Sequence, residues 1–326
     1  MIFVESSATG RSGSLPFIAD KFSGHSIDDQ IVETRRCTVQ MQNGFLYLDV
    51  LASHATALLG HDRPEPETAN RGALIKSLAR LHADYDCLAV CADAVEALLL
   101  AKKIGSVIAG DAQSVRVIGA EAGEPENAPG IVVAVESETV GRSGVWLASA
   151  EWRNPPSFII AGNVLAAGEP FGALFVERRI ASRIPANSVS GFTPPSDATI
   201  ALVQATIDAV SAQRLVEKAK DLAAYFHNRL ESVRASCSDI AEIQVAGLSA
   251  RIRLNGDLTA AQLKRRLCER GMLAGVDDRG WLLIRPPLAI RLAEIDVISG
   301  VLRGALLGTA MARTAACCAA CETEGA

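Results

Sequence analysis

Ile131–Val135 reads IVVAV, an unbroken apolar run dominated by β-branched residues. A strand with one wet face alternates apolar and polar side chains. An unbroken run instead fits a strand covered on both faces, as in parallel sheets flanked by helices. That feature restricts the first half of the chain to an α/β layer architecture. Phe158–Ala161 and Ala173–Val176 read as further buried strands, and Asp86–Val90, Ser106–Ala109 and Val115–Ile118 as shorter ones. Ahead of them, from Ala73 to His82, Leu74, Leu78 and Leu81 recur at helical spacing. A second helix is expected over Asp93–Lys103, with Val95, Leu98 and Leu99 on its apolar face.

The second half changes character. Apolar residues at Val203, Ile207, Val210, Val216, Leu222, Phe226, Leu230 and Val233 predict one long helix, or two with a bend near Ser211. Strands are expected in Ile243–Leu254 and Trp281–Ile284. Thr259 with Gln262 forms a capping box opening the helix Ala260–Glu269. Asp277-Asp278-Arg279-Gly280 is a hairpin turn, and Ala293–Leu307 closes the domain as a helix. The resulting division is an N-terminal arm over 1–43, polar and Gly/Ser-rich, and a shortened large α/β domain over 44–195. A small C-terminal α+β domain follows over 196–312, and a tail over 313–326.

Composition narrows the partners. The net charge is −5 and aromatics are only 5%, which argues against a nucleic-acid surface. No apolar run reaches the about eighteen residues of a membrane span. The start lacks a basic region followed by an apolar stretch, so a cytoplasmic protein is expected. Of eight cysteines, Cys37, Cys87, Cys91, Cys237 and Cys268 lie in apolar or helical stretches and read as buried free thiols. Cys317, Cys318 and Cys321 cluster in a small-residue tail without a fourth metal ligand nearby. His54 and His61 have no metal spacing with acids or cysteines, and His61 reads as a cap on its loop.

The motifs taken in order resemble a known family. Gly44–Asp49 followed by Gly60-His61 and Pro64, Gly141-Arg142-Ser143-Gly144, Pro156, Gly168-x-Pro170, Thr193 and Arg285-Pro286-Pro287-Leu288 are similar to markers of class III aminotransferases. Glu5-Ser6-x-Ala8 with Ser14-Leu15-Pro16 resembles the arm of the diaminobutyrate–2-oxoglutarate branch. The resemblance implies the fold-type I architecture of pyridoxal 5'-phosphate (PLP) enzymes. It also implies amino transfer between small amino and oxo acids such as 2,4-diaminobutyrate and 2-oxoglutarate, and a homodimer or a heterodimer with a full-length relative.

The catalytic positions depart from that family. Such catalysis needs a lysine to form a Schiff base and a carboxylate on the pyridine nitrogen. Counting from the motifs on either side, the lysine position holds Asn163, and residues 104–217 contain no lysine. The acidic pair falls on Ala134 and Val135. Glu136, one residue beyond, is a cofactor-binding candidate only where the strand end is irregular, since a regular strand would turn it to the other face. Otherwise it reads as a solvated acid beside Glu138. The phosphate-binding Ser-Gly-x-Glu becomes Val90-Cys91-Ala92-Asp93, and the stacking position holds Ala112-Gln113. Thr193 remains as a phosphate contact or a turn residue. Arg285 is a substrate-carboxylate candidate or an ion-paired arginine. The stretch between Lys103 and Ile131 is shorter than in full-length relatives.

Three readings follow: a catalytically inactive homologue acting as an interaction or structural subunit, a working transaminase whose site is displaced to Lys102, Lys103 or Lys218, and an unrelated binding module on the same fold.

Overall fold

The computed structural model describes residues 31–308 except 43, 53–55, 112, 121–122, 127–128, 137–138 and 186. The arm motifs at Glu5–Ala8 and Ser14–Pro16, His54, Ala112 and the Cys317/Cys318/Cys321 tail therefore lie outside the described residues. The strands are β1 (Ile31–Arg35), β2 (Thr38–Met41), β3 (Leu46–Asp49), β4 (Tyr85–Cys91), β5 (Val115–Gly119), β6 (Ile131–Glu136), β7 (Phe158–Ala161) and β8 (Gly172–Glu177). They continue with β9 (Ile240–Ala246), β10 (Ser249–Leu254), β11 (Met272–Leu273), β12 (Gly275–Val276) and β13 (Leu282–Ile284). The principal helices are α1 (Arg71–Leu78), α2 (Ala94–Ala109), α3 (Asp197–Ala212), α4 (Leu215–Ser236), α5 (Ala260–Cys268) and α6 (Leu292–Leu306).

These elements form two compact units. One comprises the described residues among 31–52, 60–62 and 222–308; the other comprises those among 56–59 and 63–221. The boundary falls inside α4.

The first unit holds two four-stranded sheets, ordered β1-β2-β3-β11 and β12-β13-β10-β9. Residues 31–41, read from sequence as part of an arm, form an antiparallel hairpin instead. The alternation of Cys37, Val39 and Met41, all buried, accounts for this: a period-two apolar set commits a strand face to a core. Polar flanking composition masked it. The capping box of α5 forms as expected, with Gln262 N donating to Thr259 Oγ1 at 3.2 Å. The turn at Asp277–Gly280 also forms, closed by Asp277 N to Trp281 O at 3.0 Å.

The second unit is built on a mixed sheet ordered β4-β8-β7-β6-β5. Strands β5, β6 and β7 run parallel, and β8 is antiparallel to both β7 and β4. The carboxyl ends of β4, β5, β6 and β7 therefore share one edge. In open α/β sheets this is the edge where ligands bind. Phe158, Ile160, Val133, Leu174 and Val176 pack in one core cluster. Each such side chain contributes about 1.5–3 kcal/mol by leaving water.

Helix α2 covers this sheet and corrects two expectations. Its buried face is Ala97, Leu100, Ala101 and Ile104, whereas Val95 and Leu99 are 65% and 61% exposed and Leu98 is half-buried. Glu96, Lys102 and Lys103 lie on the same side of the helix as Val95 and Leu99, and the large apolar residues alone do not select the buried face. The small residues do select it: a Cβ on Gly105 would lie 3.0 Å from Ile131 Cγ2, a measure of how closely the helix lies on the sheet. Ser106–Ala109, expected as a strand, is the last turn of α2, stopped by Gly110 at φ 81°. The bend near Ser211 separates α3 from α4, with Arg214 at φ 52° between them.

Candidate active-site edge

The carboxyl-end edge collects most of the singled-out residues of the second unit. At the end of β4, Val90-Cys91-Ala92-Asp93 leads into α2. Asp93 is the N-cap, and its Oδ1 accepts from Glu96 N at 2.8 Å. An extended, short-side-chain acid at this position satisfies an orphan N–H and complements the helix dipole. Glu96, one turn in, accepts from Thr193 N at 2.8 Å through Oε1. Ala92 N in turn donates to Thr193 O at 2.8 Å. Thr193 is thus brought against the loop before α2, held by its backbone. Burial first, then the charges of Glu96 and Asp93, push the Cys91 thiol up to about 12.

Ala134 is fully buried in β6 opposite Ile159 of β7. Glu136 closes β6 opposite Ala161, with no exposed surface. Its Oε1 accepts from Ser149 N at 2.7 Å and from Ser149 Oγ at 2.5 Å. Its Oε2 accepts from Ala148 N at 3.1 Å and Thr139 Oγ1 at 3.3 Å. Desolvation raises the carboxyl above its usual range, while these bonds act in the opposite direction. Sequence reasoning missed this role. The donors lie 3, 12 and 13 residues on, and nothing in the local pattern marks them.

Asn163 begins the short 3-10 turn Asn163–Ala166 directly after β7. A Cβ on the preceding Gly162 would sit 3.4 Å from Ala94 Cβ, so the start of α2 and the Asn163 turn are neighbours. Its amide nitrogen is delocalised into the carbonyl, so the side chain can hydrogen-bond but offers no nucleophilic lone pair. Upstream, Tyr85 Oη donates to Pro156 O at 2.5 Å and fixes the approach to β7. In the GRSG turn, Arg142 is fully buried and Gly144 adopts φ 86°, where a Cβ would meet Lys220 Cβ at 2.5 Å.

The lysines considered as substitutes lie elsewhere. Lys103 Nζ donates to Ser190 O at 3.2 Å. It stands nine residues along α2 from Ala94, which is about 14 Å along the helix axis. Lys102 and Lys218 are exposed. In the first unit, Arg285 is buried, with its N–H donating to Val50 O at 2.6 Å. His61 does tie down its loop: Nε2 lies 3.1 Å from Asp49 Oδ2, and both side chains are buried. Among the described residues, no helix is long and apolar enough to cross a membrane.

Comparison with known proteins agrees with this architecture. Residues 131–306, more than half of the chain, match the family described as aminotransferase class-III. Acetylornithine aminotransferase of Methanothermobacter thermautotrophicus is 29% identical over 163 residues, covering 50% of this chain and 41% of that protein. Acetylornithine aminotransferase 1 of Bordetella bronchiseptica is 29% identical over 164 residues, with the same shares. The chain spans about two-fifths of the length of these curated relatives. Among solved structures, Plasmodium falciparum ornithine delta-aminotransferase superposes with a TM-score of 0.72 at 16% identity, over 87% of this chain and 94% of that one. Acetylornithine aminotransferase from Elizabethkingia anophelis gives 0.69 at 17%, over 87% and 95%. The shared feature is the mixed α/β fold of PLP-dependent aminotransferases.

Proposed function

The chain belongs to the class-III aminotransferase family, and from that premise we propose that it is a non-catalytic member of the diaminobutyrate–2-oxoglutarate transaminase lineage. Asn163 carries the proposal. It stands where the Schiff-base lysine is expected, and an amide does not condense with an aldehyde.

Class-III homologues depend on PLP, and the residues at this edge do not fit that group. A dianionic phosphate at the start of α2 would meet the carboxylates of Asp93 and Glu96, and the Asp93 side chain already occupies the Glu96 N–H. The buried methyl of Ala134 offers no charge to a pyridinium nitrogen. The two oxygens of Glu136 are committed to Thr139, Ala148 and Ser149.

What remains is a scaffold, and its role is that of an interaction or structural subunit, associating with itself or with a full-length relative. The free thiols of Cys37, Cys87, Cys91, Cys237 and Cys268 support a reducing cytoplasmic setting. An amino-transfer assay with 2,4-diaminobutyrate, 2-oxoglutarate and added PLP tests this reading. No turnover above the cofactor alone is expected, and donor-dependent turnover by the purified chain would overturn it.

A further inference from the structure

The sequence holds two Asn-Gly pairs, Asn43-Gly44 and Asn255-Gly256. Asparagine modifies itself most readily before glycine, which puts no Cβ beside its own nitrogen and turns freely. The structure separates the two pairs by what holds that nitrogen. Gly44 N donates to Met41 O at 2.9 Å. Gly256 N–H has no acceptor among the described residues, and Asn255, Gly256 and Asp257 are all exposed. Gly256 sits at φ 75°, and a Cβ there would meet nothing within 4 Å.

We propose that Asn255 is a site of spontaneous deamidation, with the backbone nitrogen of Gly256 as nucleophile and water as the co-reactant. The Gly256 N–H gives its proton to solvent base, and the nitrogen bonds to Asn255 Cγ. The Cγ–Nδ2 bond breaks, and the amide nitrogen takes a proton from water to leave as ammonia. Water then opens the cyclic imide. Cleavage from Cγ leaves aspartate, and cleavage from the main-chain carbonyl leaves isoaspartate; nothing is oxidised or reduced.

One bond opposes the attack and is lost by it: Asn255 Nδ2 donates to Ser238 O at 2.8 Å. It lies at the surface, where water competes for both partners. A carboxylate has no proton to give Ser238 O, so the aspartate product unties the side chain at the end of β10 from the turn before β9. The main-chain bond from Asn255 N to Asp239 O, 2.8 Å, is then the remaining tie at that corner.

The test ages the full chain at mildly alkaline pH and follows peptide masses with time. A gain of one mass unit is expected at Asn255, and the same peptide should accept a methyl group from protein isoaspartate methyltransferase. Asn43 should react several-fold more slowly in the folded chain. In urea, where neither glycine nitrogen is held, the two rates should converge. Asn255→Gln, which lengthens the ring that must close, should abolish the gain at 255 with far-UV circular dichroism unchanged. An Asn255 that stays unmodified in the folded chain, or an Asn43 that reacts as fast beside it, overturns the proposal. So does a preference for Asn255 that is as large in urea, since a held nitrogen at Gly44 would not then be its cause. None of these readouts depends on amino transfer, so either result leaves the reading of Asn163 untouched.

Discussion

The Asp93 carboxylate accepts the backbone N–H of Glu96 at 2.8 Å, so the acid that opens α2 closes the helix's first turn on itself. A helix start of this kind is stable without an external anion. Asp93→Ala should cost about 1 kcal/mol in urea unfolding, and Asp93→Ser, which keeps a capping oxygen, close to nothing. Equal losses for the two variants would show that the cap is not what Asp93 provides.

Glu136 should be among the costliest buried polar side chains to delete. Glu136→Ala leaves the N–H groups of Ala148 and Ser149 without their acceptor, a loss of about 3 kcal/mol. Glu136→Gln keeps an acceptor and should lose less. The carboxyl also gives a signed pH dependence. Burial raises its folded-state pKa above the usual glutamate range, so the folded chain holds more protons than the unfolded one between the two values. Stability from this group therefore rises as pH falls from neutral through the folded pKa, and levels off below the unfolded one. Glu136→Gln lacks the titration, so wild type should gain on it during acidification. A difference between them that stays flat with pH would contradict the assignment.

Gly172 is where β8 presses on the loop before α2. A Cβ there would lie 2.3 Å from Asp93 O and 2.9 Å from Ala94 Cα, both backbone atoms. Gly172→Ala should destabilise by about 2 kcal/mol or more, read as a lowered urea midpoint. A neutral result would mean that the loop before α2 yields, and that its position is not fixed by β8.

Asn163→Lys alone should not restore amino transfer. The new amine would face an edge with Ala134 in place of a carboxylate and with Asp93 and Glu96 beside the start of α2. Measurable donor-dependent turnover by this single variant would show that the other departures from the family pattern do not matter.

The parts of this fold legible in the sequence are those fixed locally. Ile131–Val135 announces a doubly covered strand, and Thr259 with Gln262 announces a helix start, because each pattern lies within a few residues. The face of α2 is not legible from its large apolar residues alone, since the small residues Ala97, Ala101 and Gly105 mark the side that lies on the sheet. At the candidate edge, Asn163 and Ala134 follow from motif counting. The tie between Thr193 and Glu96 spans 97 residues and exists only once the sheet has formed. The four bonds on Glu136 were hidden for the same reason.

Borohydride reduction after incubation with pyridoxal 5'-phosphate, followed by intact-mass measurement, tests the central claim most directly. Reduction makes any Schiff base on a lysine permanent, so a cofactor held covalently anywhere in the chain is counted. The account predicts an unchanged mass for the wild-type chain. A stoichiometric phosphopyridoxyl adduct mapped to one lysine, whether Lys102, Lys103, Lys218 or another, would contradict it.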